Sequence, residues 1–259
     1  IIVQVLSGTD RLLKYVADTK AGILDDFGTS VITKLDNYLQ GYRSDMRDLN
    51  FGQICETLPF SRDFPAIFEL SLHLVSKQLK IPQDHSFASP KVEVRTVDSL
   101  GAVSVPRYHR IKAFVEVLGR DVGIHFFKDF VEYIFRQPPE KRYNRSFKEF
   151  KQMLIDSWKR SESFEFVIAH LDDHMFVGKF NKCMRYEALK SLDDPEISFL
   201  AQCYEGPTNV ARNTKKFRMR RQVTLFNHHF CDEFFWDSEV HGENPAQPSL
   251  EFLESLEKG

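Results

Sequence analysis

The chain has 259 residues, enough for one large domain or two smaller ones, and its 35 basic and 37 acidic residues nearly cancel. That balance sets up no broad field of one sign, which argues against a nucleic-acid or anionic-membrane partner. No apolar run reaches the ~20 residues that a membrane helix needs, and Ile1 to Val5 is too short for a secretory segment, so a cytoplasmic protein is expected. The 24 phenylalanines suit a core or an enclosed apolar pocket, and four cysteines without dense spacing suit reduced thiols rather than a disulfide framework.

In chain order, Val5, Leu12, Leu13, Val16 and Ala17 recur near helical spacing, as do Phe27, Val31, Ile32, Leu35 and Leu39. Two helices are predicted, split around Ala21-Gly22. Arg47 to Pro65 reads as a connection, and a third helix is expected from Ala66 to Leu79. Residues 83–106 read as a long loop punctuated by Pro90, Gly101 and Pro106, with a short strand at Val92-Glu93-Val94. Ile111, Phe114, Leu118, Phe126 and Phe130 then give a strong helical pattern over 107–135, broken near Gly119 to Gly123 and expected to cover a sheet built from 163–236. Pro138-Pro139 stops it. Ser146 and Glu149 form a capping box for a helix through Trp158.

From Ser163 the period becomes strand-like through His170, and Met175-Phe176-Val177 resumes after an Asp172-Asp173 turn. Asn181 to Leu192 reads as helix and Ile197 to Tyr204 as extended. Val223 to Leu225 and Phe230 to Trp236 read as a hairpin, and Leu250 to Leu256 as a tail helix. The expected fold class is α+β: helices packed on a small, mostly antiparallel sheet, with an N-terminal helical extension. The boundaries this suggests are 1–85 for the extension, 86–240 for the α+β domain and 241–259 for the tail.

Three of the four cysteines, Cys183, Cys203 and Cys231, fall in the last third, and thiols are both nucleophiles and soft metal ligands. Cys203 or Cys231 with His228 or His229, and Glu205 or Asp232 orienting the imidazole, would supply a nucleophile and a proton shuttle. The same cysteines and one histidine would also make a Cys3His zinc shell, and three buried thiols can equally pack in a core. Adjacent histidines in a strand point to opposite faces, so one of His228 and His229 is expected in a given pocket. His170 and His174 beside Asp172-Asp173 read as metal ligands or as a polar turn. In the basic run from Lys215 to Arg221, Arg221 is the candidate for gripping an anionic substrate. Asn144-Arg145-Ser146 fits the glycosylation pattern, which is common by chance.

Phe180-Asn181-Lys182-Cys183, the later Cys203, and Arg221-Gln222-Val223-Thr224-Leu225 running into Cys231-Asp232-Glu233-Phe234 resemble the L-2-amino-thiazoline-4-carboxylic acid hydrolase-like family. The resemblance covers roughly residues 105–236 and is most specific in 176–236. It implies hydrolytic opening of a small amino-acid-derived ring without an organic cofactor; for that chemistry the residues themselves offer Cys203, Cys231, His228, His229 and Glu205 as the catalytic candidates. Cys183, Tyr186, Arg221, Thr224 and Asp232 would hold the substrate. The chain departs from the pattern at Tyr204-Glu205-Gly206 and at Phe226-Asn227-His228-His229. The late cysteines also resemble vinyl-reductase-like sensor domains, which leaves a non-catalytic small-molecule-binding protein as an alternative, and a cyclase or isomerase reusing the pocket as another. The expected partner is a small-molecule substrate, and a homo-oligomer is compatible. Two expectations follow for the site: at least two of the three cysteines share a cavity, and a nearby imidazole or Arg221 lowers the Cys203 pKa.

Overall fold

The structure, a computed structural model, describes residues 1–85, 93–136, 139, 144–160 and 164–256. Helices α1 (Ile2–Lys20) and α2 (Leu24–Leu39) are joined by a single 3-10 turn at Ala21–Ile23, where the sequence predicts a break. The connection that follows holds two short helices, α3 (Phe51–Glu56) and α4 (Phe60–Asp63), before α5 (Pro65–Gln78). Helix α6 (Thr96–Leu118) is next, then α7 (Arg120–Arg136) and α8 (Phe147–Arg160). The last third runs β1 (Phe164–Asp172), β2 (Met175–Cys183), α9 (Met184–Glu187), α10 (Pro195–Gln202), α11 (Gly206–Thr214), β3 (Phe217–Arg220), β4 (Cys231–Asp237), α12 (Ser238–His241) and α13 (Leu250–Ser255). The α+β class is as expected. Among the described residues no helix is long and apolar enough to cross a membrane.

Two compact units make up the chain, Ile1–Phe130 and Val131–Gly259. The expected division after residue 85 lies inside the first, because α6 packs against α2 and α5. Gly101 and Pro106 do not mark a loop; both lie inside α6. The apolar residues Ala102, Val105, Tyr108 and Ile111, all buried, hold that segment helical, and burial outweighs the proline's lost hydrogen bond. Glu93 and Val94 are not in a strand, while Val92, Pro90 and Pro138 lie outside the described residues.

The predicted break in the long helix falls at Gly119, whose φ of +81° ends α6. Four residues on, a Cβ at Gly123 would sit 2.6 Å from the Phe114 backbone, so the start of α7 turns back tightly over the end of α6. Phe114 stacks on Phe27 at 4.2 Å, and Phe126 and Phe130 meet Tyr15 at 5.2 and 5.4 Å, which makes them core of the helical unit.

Within the second unit, α8 covers one face of the sheet. Ser146 and Glu149 close the predicted capping box, with the Ser146 N–H donating to Glu149 Oε2 at 2.8 Å and the Glu149 N–H to Ser146 Oγ at 3.3 Å. The four strands run β1-β2-β4-β3 and every pair is antiparallel. Alternation then sorts the side chains. Phe176, Phe180, Met219 and Phe235 pack under Phe147, Phe150 and Trp158 of α8, while Val177, Phe234 and Trp236 face Leu253 of α13.

Two further expectations fail locally. The helix expected over 181–192 begins only at Met184, because β2 continues through Cys183 in register with Phe164 of β1. Residues 197–204 are not extended: Pro195 starts a helix, and Asp194 caps it by accepting the Ile197 N–H at 3.2 Å. In the hairpin, the strand that pairs with β4 is Phe217–Arg220 rather than 223–225.

Candidate functional site

These local structures bring three cysteines to one place. Cys183 ends β2, Cys203 caps the C-terminus of α10 and Cys231 opens β4, and all three line a single cavity of about 160 Å³ in the second unit. The sheet supplies Phe180, Met219, Glu233 and Phe235, α8 supplies Leu154 and Trp158, and α11 supplies Asn209 and Val210. The expectation that at least two cysteines share a pocket is met by all three.

Arg221 is the charged centre of this cavity. Its guanidinium donates to Glu233 Oε1 at 2.5 Å and to the Cys203 carbonyl at 2.9 Å, and the two charged side chains are only 7% and 13% exposed. The Cys203 carbonyl is available because it ends α10, where helical carbonyls lack an intrahelical donor. Gly206 makes room for the guanidinium: a Cβ there would lie 3.0 Å from its Nη2. Arg221 Nε is buried without a hydrogen-bond partner, a desolvation cost of the kind that accumulates at functional sites. Arg221 and Met219 also border a second, wider groove of about 650 Å³ with Tyr204 and Trp236 on its walls.

Of the expected site residues, Cys183, Cys203, Cys231 and Arg221 reach the cavity; Tyr186, Glu205, Thr224, Asp232, His228 and His229 do not line it. Asp232 is fully buried on the opposite face of β4. It accepts the N–H groups of Gln222 and Val223 at 2.9 and 2.8 Å and is also bound by Gln247, so it anchors the chain entering the turn. Thr224 starts that turn, with its carbonyl accepting the N–H groups of Asn227 and His228. Tyr186 meets the edge of Phe226 at 5.2 Å. Glu205 is the residue before α11.

Arg185, Glu233 and Asn209 are cavity residues that the sequence reading missed. For Glu233 the signal was there: along β4, Cys231, Glu233 and Phe235 share one face and Asp232, Phe234 and Trp236 the other. Arg185 and Asn209 carry no such signal.

Among the described residues no histidine lines the cavity, so the Cys–His pair expected from sequence is not assembled there. The Cys203 thiol is not lowered either. Burial pushes it up to about 11, the nearby Arg221 charge opposing this too weakly to win, and burial likewise raises Cys183 and takes Cys231 well above its usual value. All three thiols are therefore neutral at pH 7. The Cys3His zinc shell also lacks its histidine, and among the described residues no cysteine belongs to a group of three metal-ligand atoms within 4.8 Å of one another. His174 sits in the β1–β2 turn, its N–H donating to Asp172 Oδ1 at 2.7 Å, which gives the polar-turn reading.

A measurable pH dependence follows for Cys203. Below about 9.0 the thiol is protonated folded or unfolded; between there and about 11 the unfolded chain releases the proton while the folded chain keeps it, so stability falls with rising pH. Each unit of that window is worth about 1.4 kcal/mol per thiol. Urea unfolding of the wild type should weaken across it by ~2 kcal/mol or more, and a Cys203→Ala variant should show a shallower loss. An identical slope in the variant would mean that Cys203 is solvated.

Compared with protein-family models, with curated proteins and with solved structures, the chain gives no match in any of the three.

Proposed function

We propose that the three-cysteine cavity is the active site of a cofactor-independent hydrolase opening a small, carboxylate-bearing heterocycle of the thiazoline carboxylate type. The observation that carries this reading is the convergence of Cys183, Cys203 and Cys231 with Arg221, Arg185 and Glu233 on one cavity. Its size supports the substrate class, since an apolar cavity of about 150 Å³ holds one benzene and a single substituted ring is close to that volume. Arg185 and Arg221 are the cations for the substrate carboxylate, and Trp158, Phe180 and Phe235 flank the ring.

The chemistry is assigned to water rather than to a thiolate, because the thiols are held neutral. Water oxygen bonds to the ring amidine carbon, the ring carbon–sulfur bond breaks, and the two water protons end on the ring nitrogen and the departing sulfur. The product is an N-carbamoyl amino acid. Glu233 is the carboxylate in reach to take the first proton, and the thiols are neutral donors that line the leaving sulfur.

The test is incubation of the purified chain with 2-amino-thiazoline-4-carboxylate, followed by mass spectrometry of the N-carbamoylcysteine product. Turnover that falls by about 10²–10⁴-fold in Glu233→Gln supports the assignment. Binding without turnover gives a second reading, a ligand-binding protein, which neutral thiols in an aromatic lining also favour. Neither binding nor turnover overturns the substrate class.

A further inference from the structure

The two histidines that sequence reading placed in catalysis are brought together elsewhere in the second unit. The turn closed by the Thr224 carbonyl puts the rings of His228 and His229 on the same side, stacked with centroids 4.2 Å apart, instead of on opposite faces as a strand would. Glu254 of α13 approaches them, its Oε1 4.0 Å from His229 Nε2. Each of the three side chains offers one ligand atom, and these atoms all lie within 4.8 Å of one another.

We infer that His228, His229 and Glu254 form a binding site for one zinc-class divalent cation, which ties α13 to the turn leading into β4. Two imidazoles and one carboxylate are a zinc donor set that leaves the remaining position to water. A tetrahedral zinc with bonds of ~2.0–2.1 Å needs its ligand atoms on the order of 3.3 Å apart. His229 and Glu254 are exposed, so small side-chain rotations close the difference without disturbing the core. His228 Nδ1 is buried and has no hydrogen-bond partner, so the ring carries a polar atom that protein groups leave uncompensated. The neighbouring cation, Lys179, does not claim the carboxylate: its Nζ donates to the main-chain carbonyls of Glu254 and Leu256 at 3.3 and 3.0 Å. The site is independent of the cavity, but the strand it braces carries Cys231 and Glu233 into that cavity.

Zinc titration of the chelator-treated full chain by calorimetry tests this. One equivalent should bind, with affinity reduced at least about tenfold in His229→Ala and in Glu254→Gln, two exposed positions whose loss leaves the fold intact. The triple variant Cys183→Ser, Cys203→Ser, Cys231→Ser should bind as the wild type does, and the cobalt-loaded wild type should lack sulfur-to-metal charge-transfer absorption. Hydrogen exchange in residues 250–255 should slow when zinc is added. Zinc affinity unchanged in both His229→Ala and Glu254→Gln, loss of binding in the cysteine variant, or no binding by the wild type would each overturn the site.

Discussion

Replacing Arg221 by methionine is expected to destabilise the second unit by about 3–5 kcal/mol, far more than loss of any exposed ion pair, because it strands the Glu233 carboxylate in a buried site. The pair is 2.5 Å apart with side chains 7% and 13% exposed, whereas Lys14–Asp18, at 58% and 50%, belongs to the class worth about 0–1 kcal/mol. The same change removes the donor to the Cys203 carbonyl. Urea unfolding followed by tryptophan fluorescence reads this unit specifically, since both tryptophans, Trp158 and Trp236, lie in it. The double variant Arg221→Met, Glu233→Gln should recover much of the loss, because no unpaired charge is then buried. A single variant as stable as the wild type would mean that water, not Arg221, satisfies Glu233.

Trp158→Ala is the second change with a large expected effect, again about 3–5 kcal/mol, from lost burial and the void left behind. The indole meets Phe180 edge-on at 4.9 Å and Phe166 at 5.5 Å, and it lies over Gly178, where a Cβ would be 3.4 Å from its Cη2. Because Trp158 also lines the cavity, the variant should lose affinity for a single-ring carboxylate along with stability. Trp158→Phe should cost less and retain binding. Trp236 remains as the fluorescent reporter in both. If Trp158→Ala unfolds normally but binds ligand as the wild type does, the wall it forms is not part of the ligand site.

Arg221 and the three cysteines were legible because clustered thiols and one cation beside a strand are unusual on any background, and the resemblance pointed to the same residues. Of the carboxylates, the expected Glu205 and Asp232 do not line the cavity, while Glu233 does. The strand period puts Cys231 and Glu233 on one face and sends Asp232 to the other, where backbone N–H groups hold it. The strand period does not govern the adjacent histidines, because the Thr224 turn carries both His228 and His229 away from the cavity lining.

The sequence by itself determined the elements whose signals are local. The periodicity of α1 and α2, the Ser146–Glu149 box, and the alternation and turn of β1 and β2 each depend on neighbours a few residues away. Asp194-Pro195 was a local signal too, and it would have given α10. What only the tertiary structure decided is what long-range burial controls. Gly101 and Pro106 stay in a helix because α6 packs against α2 and α5, and the stripe from Phe114 to Phe130 packs on Tyr15 and Phe27. Apolar periodicity shows that a face is buried without naming its partner. The thiol ionisation is of the same kind: a sequence places a cysteine near an arginine, but the depth of burial, which decides against the thiolate here, is a property of the packed fold.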